Sequence, residues 1–250
     1  MASQYFSLRG KVYIGDRDAN GNPEGLIHIG NVPDCTLSLA TETLEHKESM
    51  SGQDLTDVSI TTSKSGELSL TTEELLKEVF GYILNGTVTD VEAGTVAGPE
   101  ALCTAPQTGR IYLLAKQNVS SVVLTDHESA VISATKYTVN AKHGSIEFTD
   151  VTGLSGAVTA AYSYGAFRSV SMFTADSMDK WFRLEGLNKI TNERVVVDLY
   201  KIAINPTDGM AFISDELGNA PIKAKVLADT QKSAEGSLGQ FGRIILVPAT

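Results

Sequence analysis

The sequence predicts a mainly β fold, and three observations carry that prediction. Apolar and polar residues alternate over several short stretches, as in strands with one dry face and one wet face. The chain contains 22 glycines, and turn-forming clusters recur at intervals of roughly 8–15 residues. Clear helical spacing is confined to one segment.

In chain order, Leu37 and Leu39 bracket Ser38, and Val58, Ile60 and Thr62 alternate with Ser59 and Thr61, predicting half-buried strands. A helix is predicted over Thr71–Leu84. Thr71 and Glu74 have the spacing of a capping box, and Leu75, Leu76, Val79, Phe80 and Ile83 form an apolar stripe. Asn85-Gly86 supplies a left-handed stop. Residues 87–109, rich in Gly, Thr, Ala and Pro, read as a linker or long loop. Strands are predicted at Ile111–Leu114, Val119–Thr125, Tyr137–Val139, Ile146–Phe148 and Val158–Tyr164. Phe182 and Leu184 then oppose Trp181, Arg183 and Glu185. Arg194–Ile204 starts apolar on both faces, as in a central or interface strand. A second helical turn is predicted at Met210–Leu217, ended by Gly218, and Ile222, Ala224 and Val226 alternate with Lys223 and Lys225. The expected organisation is a discontinuous domain, 1–86 with 166–250, carrying a β-rich insertion at 87–165.

Charge and hydropathy narrow the function classes. With 20 basic and 30 acidic residues, a formal charge of −10, the chain lacks the overall basic balance of an adhesive nucleic-acid binder. No apolar run approaches the ~20 residues that span a bilayer, so no membrane partner is expected. Met1–Gly10 has one Arg and no apolar core, so no signal peptide is expected and the protein is placed in a cytoplasm. Cys35 and Cys103, far apart and without metal spacing, read as free, partly buried thiols.

The motifs give little chemistry. Asp16, Asp18 and Asn20, followed by Gly21, match the first half of a calcium loop, but its twelfth position is Ile27 and not a bidentate Glu. The same residues form good turns, which is the preferred reading. His28, His46, His127 and His143 show no metal-ligand spacing. Asp126-His127 has no GxSxG elbow to work with, and neither GxGxxG nor a Walker loop occurs. No catalytic residue and no cofactor are expected. The densely polar Glu42–Gln53 reads either as a solvated hairpin loop or as a polar protein–protein contact.

One resemblance organises these fragments. Gly30-Asn31-Val32 leads into an alternating strand, followed by Glu45-His46-Lys47-Glu48-Ser49 and Ser51-Gly52. This resembles the first sheet and loop of bacteriophage tail tube proteins, the major tail proteins of long-tailed phages. The segment Thr71–Leu84 falls where that family has its helix, and Phe212-Ile213-Ser214-Asp215 with Val226-Leu227-Ala228-Asp229 resembles its closing helix and strand. The resemblance covers about half the chain, near 25–86 and 180–230.

It implies a tail-tube-like β-sandwich or barrel domain whose homohexameric rings stack into the conduit for DNA ejection. The implied partners are further copies of itself, DNA and the tape measure protein in the lumen, and the tail terminator and distal tail proteins. The implied location is the virion tail, assembled in the host cytoplasm. Glu45, His46, Lys47, Glu48 and Ser49 are then expected at the contact between rings, and Glu67, Glu185 and Asp198 on an acidic lumen wall. A secretion-system tube subunit of the same fold is the alternative, as is a phage decoration, baseplate or joining protein.

Overall fold

The computed structural model describes residues 5–50, 52–175, 179–207, 209–215, 218–233 and 239–249. It is mainly β, with a single α-helix among the described residues. The chain divides into two compact units, Met1–Val88 with Val170–Thr250, and Thr89–Ser169. In chain order the first unit opens with β1 (Leu8–Arg17), β2 (Pro23–His28), β3 (Asp34–Lys47), β4 (Thr56–Thr72) and α1 (Lys77–Ile83). Strands β5 (Val88–Val91), β6 (Gly94–Thr95), β7 (Glu100–Cys103), β8 (Ile111–Leu113) and β9 (Val119–Thr125) follow. After them come β10 (Tyr137–Asn140), β11 (Ser145–Phe148), β12 (Val158–Tyr164) and β13 (Phe167–Val170). The first unit resumes with β14 (Asp179–Asn188), β15 (Arg194–Asn205), β16 (Ala220–Val226) and β17 (Gly242–Val247).

The first unit is built on one antiparallel sheet in the order β2-β1-β14-β15-β16-β4-β3, with β17 also paired to β15. Strand β15 is its centre. One edge pairs with β14, while β17 and β16 divide the other, at Arg194–Leu199 and Ile202–Asn205 respectively. Between those halves, Tyr200 and Lys201 both stand opposite Trp181, a bulge that reverses which face each side chain takes. Val197 and Leu199 reach the core before it, and Ile202 and Ile204 after it. Ahead of the bulge Val196 lies on the face opposite Val197, in a row with Glu185 and Ile245, so the strand's apolar start fills both faces. The core also takes Val12 and Ile14 from β1, Leu68 and Leu70 from β4, and Val79 and Ile83 from α1. At its ends the sheet curls back on itself: Thr72 Oγ1 donates to the Ile29 carbonyl at 2.8 Å, and Glu73 N to the Asn31 carbonyl at 2.9 Å.

The helix is shorter than its sequence pattern. Thr71 and Thr72 stay in β4, opposite Pro221 and Ala220, and α1 begins after Leu76 with no side-chain cap. The ladder outcompetes the capping box because Thr71 is paired on both sides, with Pro221 and Asp34, and its hydroxyl donates to Asp34 Oδ2 at 3.4 Å. At the other end Asn85 takes the left-handed conformation (φ 43°) and Gly86 N donates to the Gly81 carbonyl at 2.9 Å. Glycine is required at 86, where a Cβ would lie 1.8 Å from the Ser171 carbonyl oxygen.

Three further expectations need correction. Met210–Asp215 is irregular rather than helical, and Glu216 and Leu217 lie outside the described residues. Residues 87–109 hold β5, β6 and β7 rather than a linker. The Val58–Thr62 stretch is a strand, but all of it is exposed rather than half-buried.

The second unit has its own core. A three-stranded sheet, β10-β11-β8, and a four-stranded one built around β12 share Leu124, Ile146, Phe148, Val158, Ala160 and Tyr162. Tyr112 and Tyr137 pack their rings on Phe148 at 5.6 and 6.3 Å. Strands β5 and β13 pair as a two-stranded ribbon where the chain passes between units.

Candidate assembly surfaces

The β3–β4 hairpin runs well beyond the core. Its register holds from Asp34 opposite Thr71 to Lys47 opposite Thr56, yet β4 is exposed from Thr56 through Ser65, and β3 from Ser38 through Lys47. Thr62 and Asp57 are extra residues at two bulges, which add twist to the ribbon. Cross-strand partners share a face, so Leu44 stands beside Ile60, with Val58 next along that face opposite His46. These three are 63%, 57% and 46% exposed. A two-stranded ribbon is marginal in water, and an apolar patch on one marks a surface that takes a partner.

Sequence reasoning expected a loop over Glu42–Gln53, but strand β3 continues through Lys47. Glu45, His46 and Lys47 are therefore held on a ladder, and His46 Nδ1 lies 2.7 Å from Asp57 Oδ1. Glu48 begins the turn, donating its N–H to the Leu55 carbonyl at 2.8 Å and accepting from Met50 N on its own carboxylate. Ser49 is exposed in the same turn, and Ser51 lies outside the described residues.

The sheet face opposite the core carries a ladder of charge. Arg183, Asp198 and Arg243 stand in register on β14, β15 and β17. Asp198 is wholly buried, and its two oxygens accept from Arg183 Nη1 at 3.0 Å and Arg243 Nε at 3.4 Å. Asp198 thus offers no free carboxylate to a lumen, which corrects its assignment to an acidic wall. A one-residue reading of strand parity cannot see that two arginines flank it. Glu185 is exposed but accepts from Arg183 Nε at 2.9 Å, and Glu67 is exposed between Lys225 and Ser38 in the ladder. The next rows hold Lys11, Glu185, Val196 and Ile245, then Arg9, Leu187, Arg194 and Val247. Among the described residues Arg9, Lys11 and Arg194 have no carboxylate partner. This face is net positive on a chain of charge −10, and overall composition gave no signal for it.

The calcium-like segment is a clasped turn. Asp18 Oδ1 accepts from Asn20 N at 2.9 Å and Asn22 N at 2.7 Å, which holds its carboxyl below the usual range. The Asp16 carboxylate pairs with Lys180, and the turn is tied down by Arg17–Asp229 at 2.8 Å and by Gln231 Nε2 to the Ala19 carbonyl at 2.9 Å. Among the described residues no group of three or more His, Cys, Asp or Glu side chains is placed to hold a metal. Asp126 caps a turn through Glu128 N and Ala130 N, His127 packs on Gly156, His28 on the Tyr13 ring, and His143 on Asn140. Cys103 is half-buried, but Cys35 is exposed, unlike the expected partly buried thiol.

What this fold defines is a mainly β protein with an over-long hairpin and a charged open sheet face. The chain belongs to the protein family UCP028589, described as a protein of unknown function, whose model matches residues 5–245. No curated protein sequence matches it.

Proposed function

We propose that the protein is a structural subunit whose copies close into hexameric rings and stack into a tube, the tail tube of a long-tailed bacteriophage. The observation that carries this reading is the β3–β4 hairpin: a ribbon exposed on both sides whose Leu44, Val58 and Ile60 are left about half exposed or more among the described residues. Strand edges add to the case. β2 and β3 end the sheet path, and β17 pairs on one side with β15 while exposing Ile244 and Leu246. Exposed apolar edges of this kind associate unless protected, and contacts between unlike surfaces close into rings or grow as filaments. The sequence resemblance supplies the phage tail as the setting, with DNA and the tape measure protein as lumen contents and the terminator and distal tail proteins at the ends. On this reading Glu67 and Glu185 remain candidates for the lumen wall, while Asp198 is structural.

Electron microscopy of the purified, concentrated protein tests the reading. Six-fold rings and stacked tubes are expected. Particles that stay monomeric at every concentration would contradict it.

A further inference from the structure

The hairpin and the open sheet face are complementary, and the hairpin needs a cover. Residues 42–57 carry five carboxylates, Glu42, Glu45, Glu48, Asp54 and Asp57, against one lysine, Lys47. Within that acidic frame lies the apolar group Leu44, Val58 and Ile60. The sheet face has the inverse arrangement. Leu187, Val196, Ile245 and Val247 lie in two adjoining rows, with Arg194 between Leu187 and Val247 and with Arg9 and Lys11 at the β1 end. Glu185, beside Lys11, is engaged by Arg183, and among the described residues the other three cations have no carboxylate partner. Leu187 and Val247 are 38% and 44% exposed.

We infer that the occupant of this basic sheet face is the acidic β3–β4 hairpin of a second copy of the chain. The inference rests on the assembly reading and adds to it the receiving surface. Apolar centres meet and lose water, while the charged rims set the register and reject the alternative of hairpin on hairpin, where acidic groups would face each other. Because donor and acceptor surfaces differ, each copy can give one hairpin and receive another, so the contact propagates. Charge on partly exposed rims is screened by salt over ~8 Å at physiological ionic strength, so assembly should weaken as salt rises.

The test is a charge exchange on the full chain, read by sedimentation velocity. The triple variant Arg9→Glu/Lys11→Glu/Arg194→Glu should need about ten-fold more protein to assemble, while melting as the unmodified chain does. Adding Glu42→Lys/Glu45→Lys/Glu48→Lys to the same chain should bring assembly back to within about three-fold of the original. Unchanged assembly in the triple variant, or no recovery in the combined one, overturns the inference and leaves the tube reading standing. An unmodified chain that never associates overturns both. Should the triple variant fail to fold, carbodiimide cross-linking of mixed isotope-labelled and unlabelled original chains decides the matter. Lys11 joined to Glu42, Glu45 or Glu48 of another copy supports the inference, and inter-copy links confined to other sites contradict it.

Discussion

Arg183 and Asp198 face each other across β14 and β15, with Nη1 3.0 Å from a carboxylate oxygen that has no exposure at all. With Arg243 on the far side, the carboxylate ties one arginine of each flanking strand to the central one. Asp198→Ala should cost roughly 2–3 kcal/mol, below the ~3–5 kcal/mol of a fully buried pair, because the arginines are partly exposed and water screens them. Chemical denaturation measures this. A loss under about 0.5 kcal/mol would show that the ladder does not hold the sheet.

Two glycines make a matched pair of opposite expectations. Gly86→Ala forces a Cβ to 1.8 Å from the Ser171 carbonyl oxygen, whereas at Gly98 a Cβ meets nothing within 4 Å. Thermal melts should show a large loss for the first, several degrees or more, and for the second a change within about 0.5 kcal/mol. Equal melting temperatures would refute the close approach at the end of α1.

Much of the architecture was legible from residues, and the failures have definite physical causes. Alternation found β14 and β16 because each has one face on the core, whereas the short strands β5, β6 and β7, in a Gly-, Thr-, Ala- and Pro-rich stretch, carry too few residues to show the pattern. It misjudged Val58–Thr62, where the pattern is real but the strand projects past the core. The capping pattern at Thr71 and Glu74 lost to ladder pairing with Pro221 and Ala220, a contact distant in sequence. The candidate surfaces were only half visible. Density of charge marked Glu42–Lys47, but the cross-strand register that neutralises Asp198 and gathers Arg9, Lys11 and Arg194 onto one face is a property of pairing, not composition.

The tyrosines give a pH signature. Burial first, then the hydrogen bond and charge of Glu100, push the Tyr162 phenol up to about 12, and burial with nearby Asp16 and Glu78 does the same for Tyr82. A folded pKa above the unfolded value of ~10 means the folded state holds its proton longer. The associated stability is complete below about pH 10 and is lost as pH rises toward 12. Absorbance titration of the 8 tyrosines should show a late step, reduced in Tyr162→Phe. A single step near pH 10 that the variant leaves unchanged would rule it out.

The second unit should fold by itself. Its core draws on residues of Thr89–Ser169, and β5 pairs with β13 where the chain enters and leaves, so its ends lie on adjacent strands. The isolated segment should melt cooperatively, as small single domains do. A broad, sloping transition, or a circular dichroism spectrum without strand signal, would show that it depends on the first unit.

The central claim is that this chain builds a tube from copies of itself, and native mass spectrometry alongside electron microscopy tests it most directly. For the unmodified chain the account predicts masses at multiples of six chains and stacked rings on micrographs. For Leu44→Asp/Ile60→Asp it predicts a chain that stays folded but no longer stacks, since two carboxylates would be buried at the seam without partners. Full-length tubes from that variant, or only single chains from the original, would contradict the account.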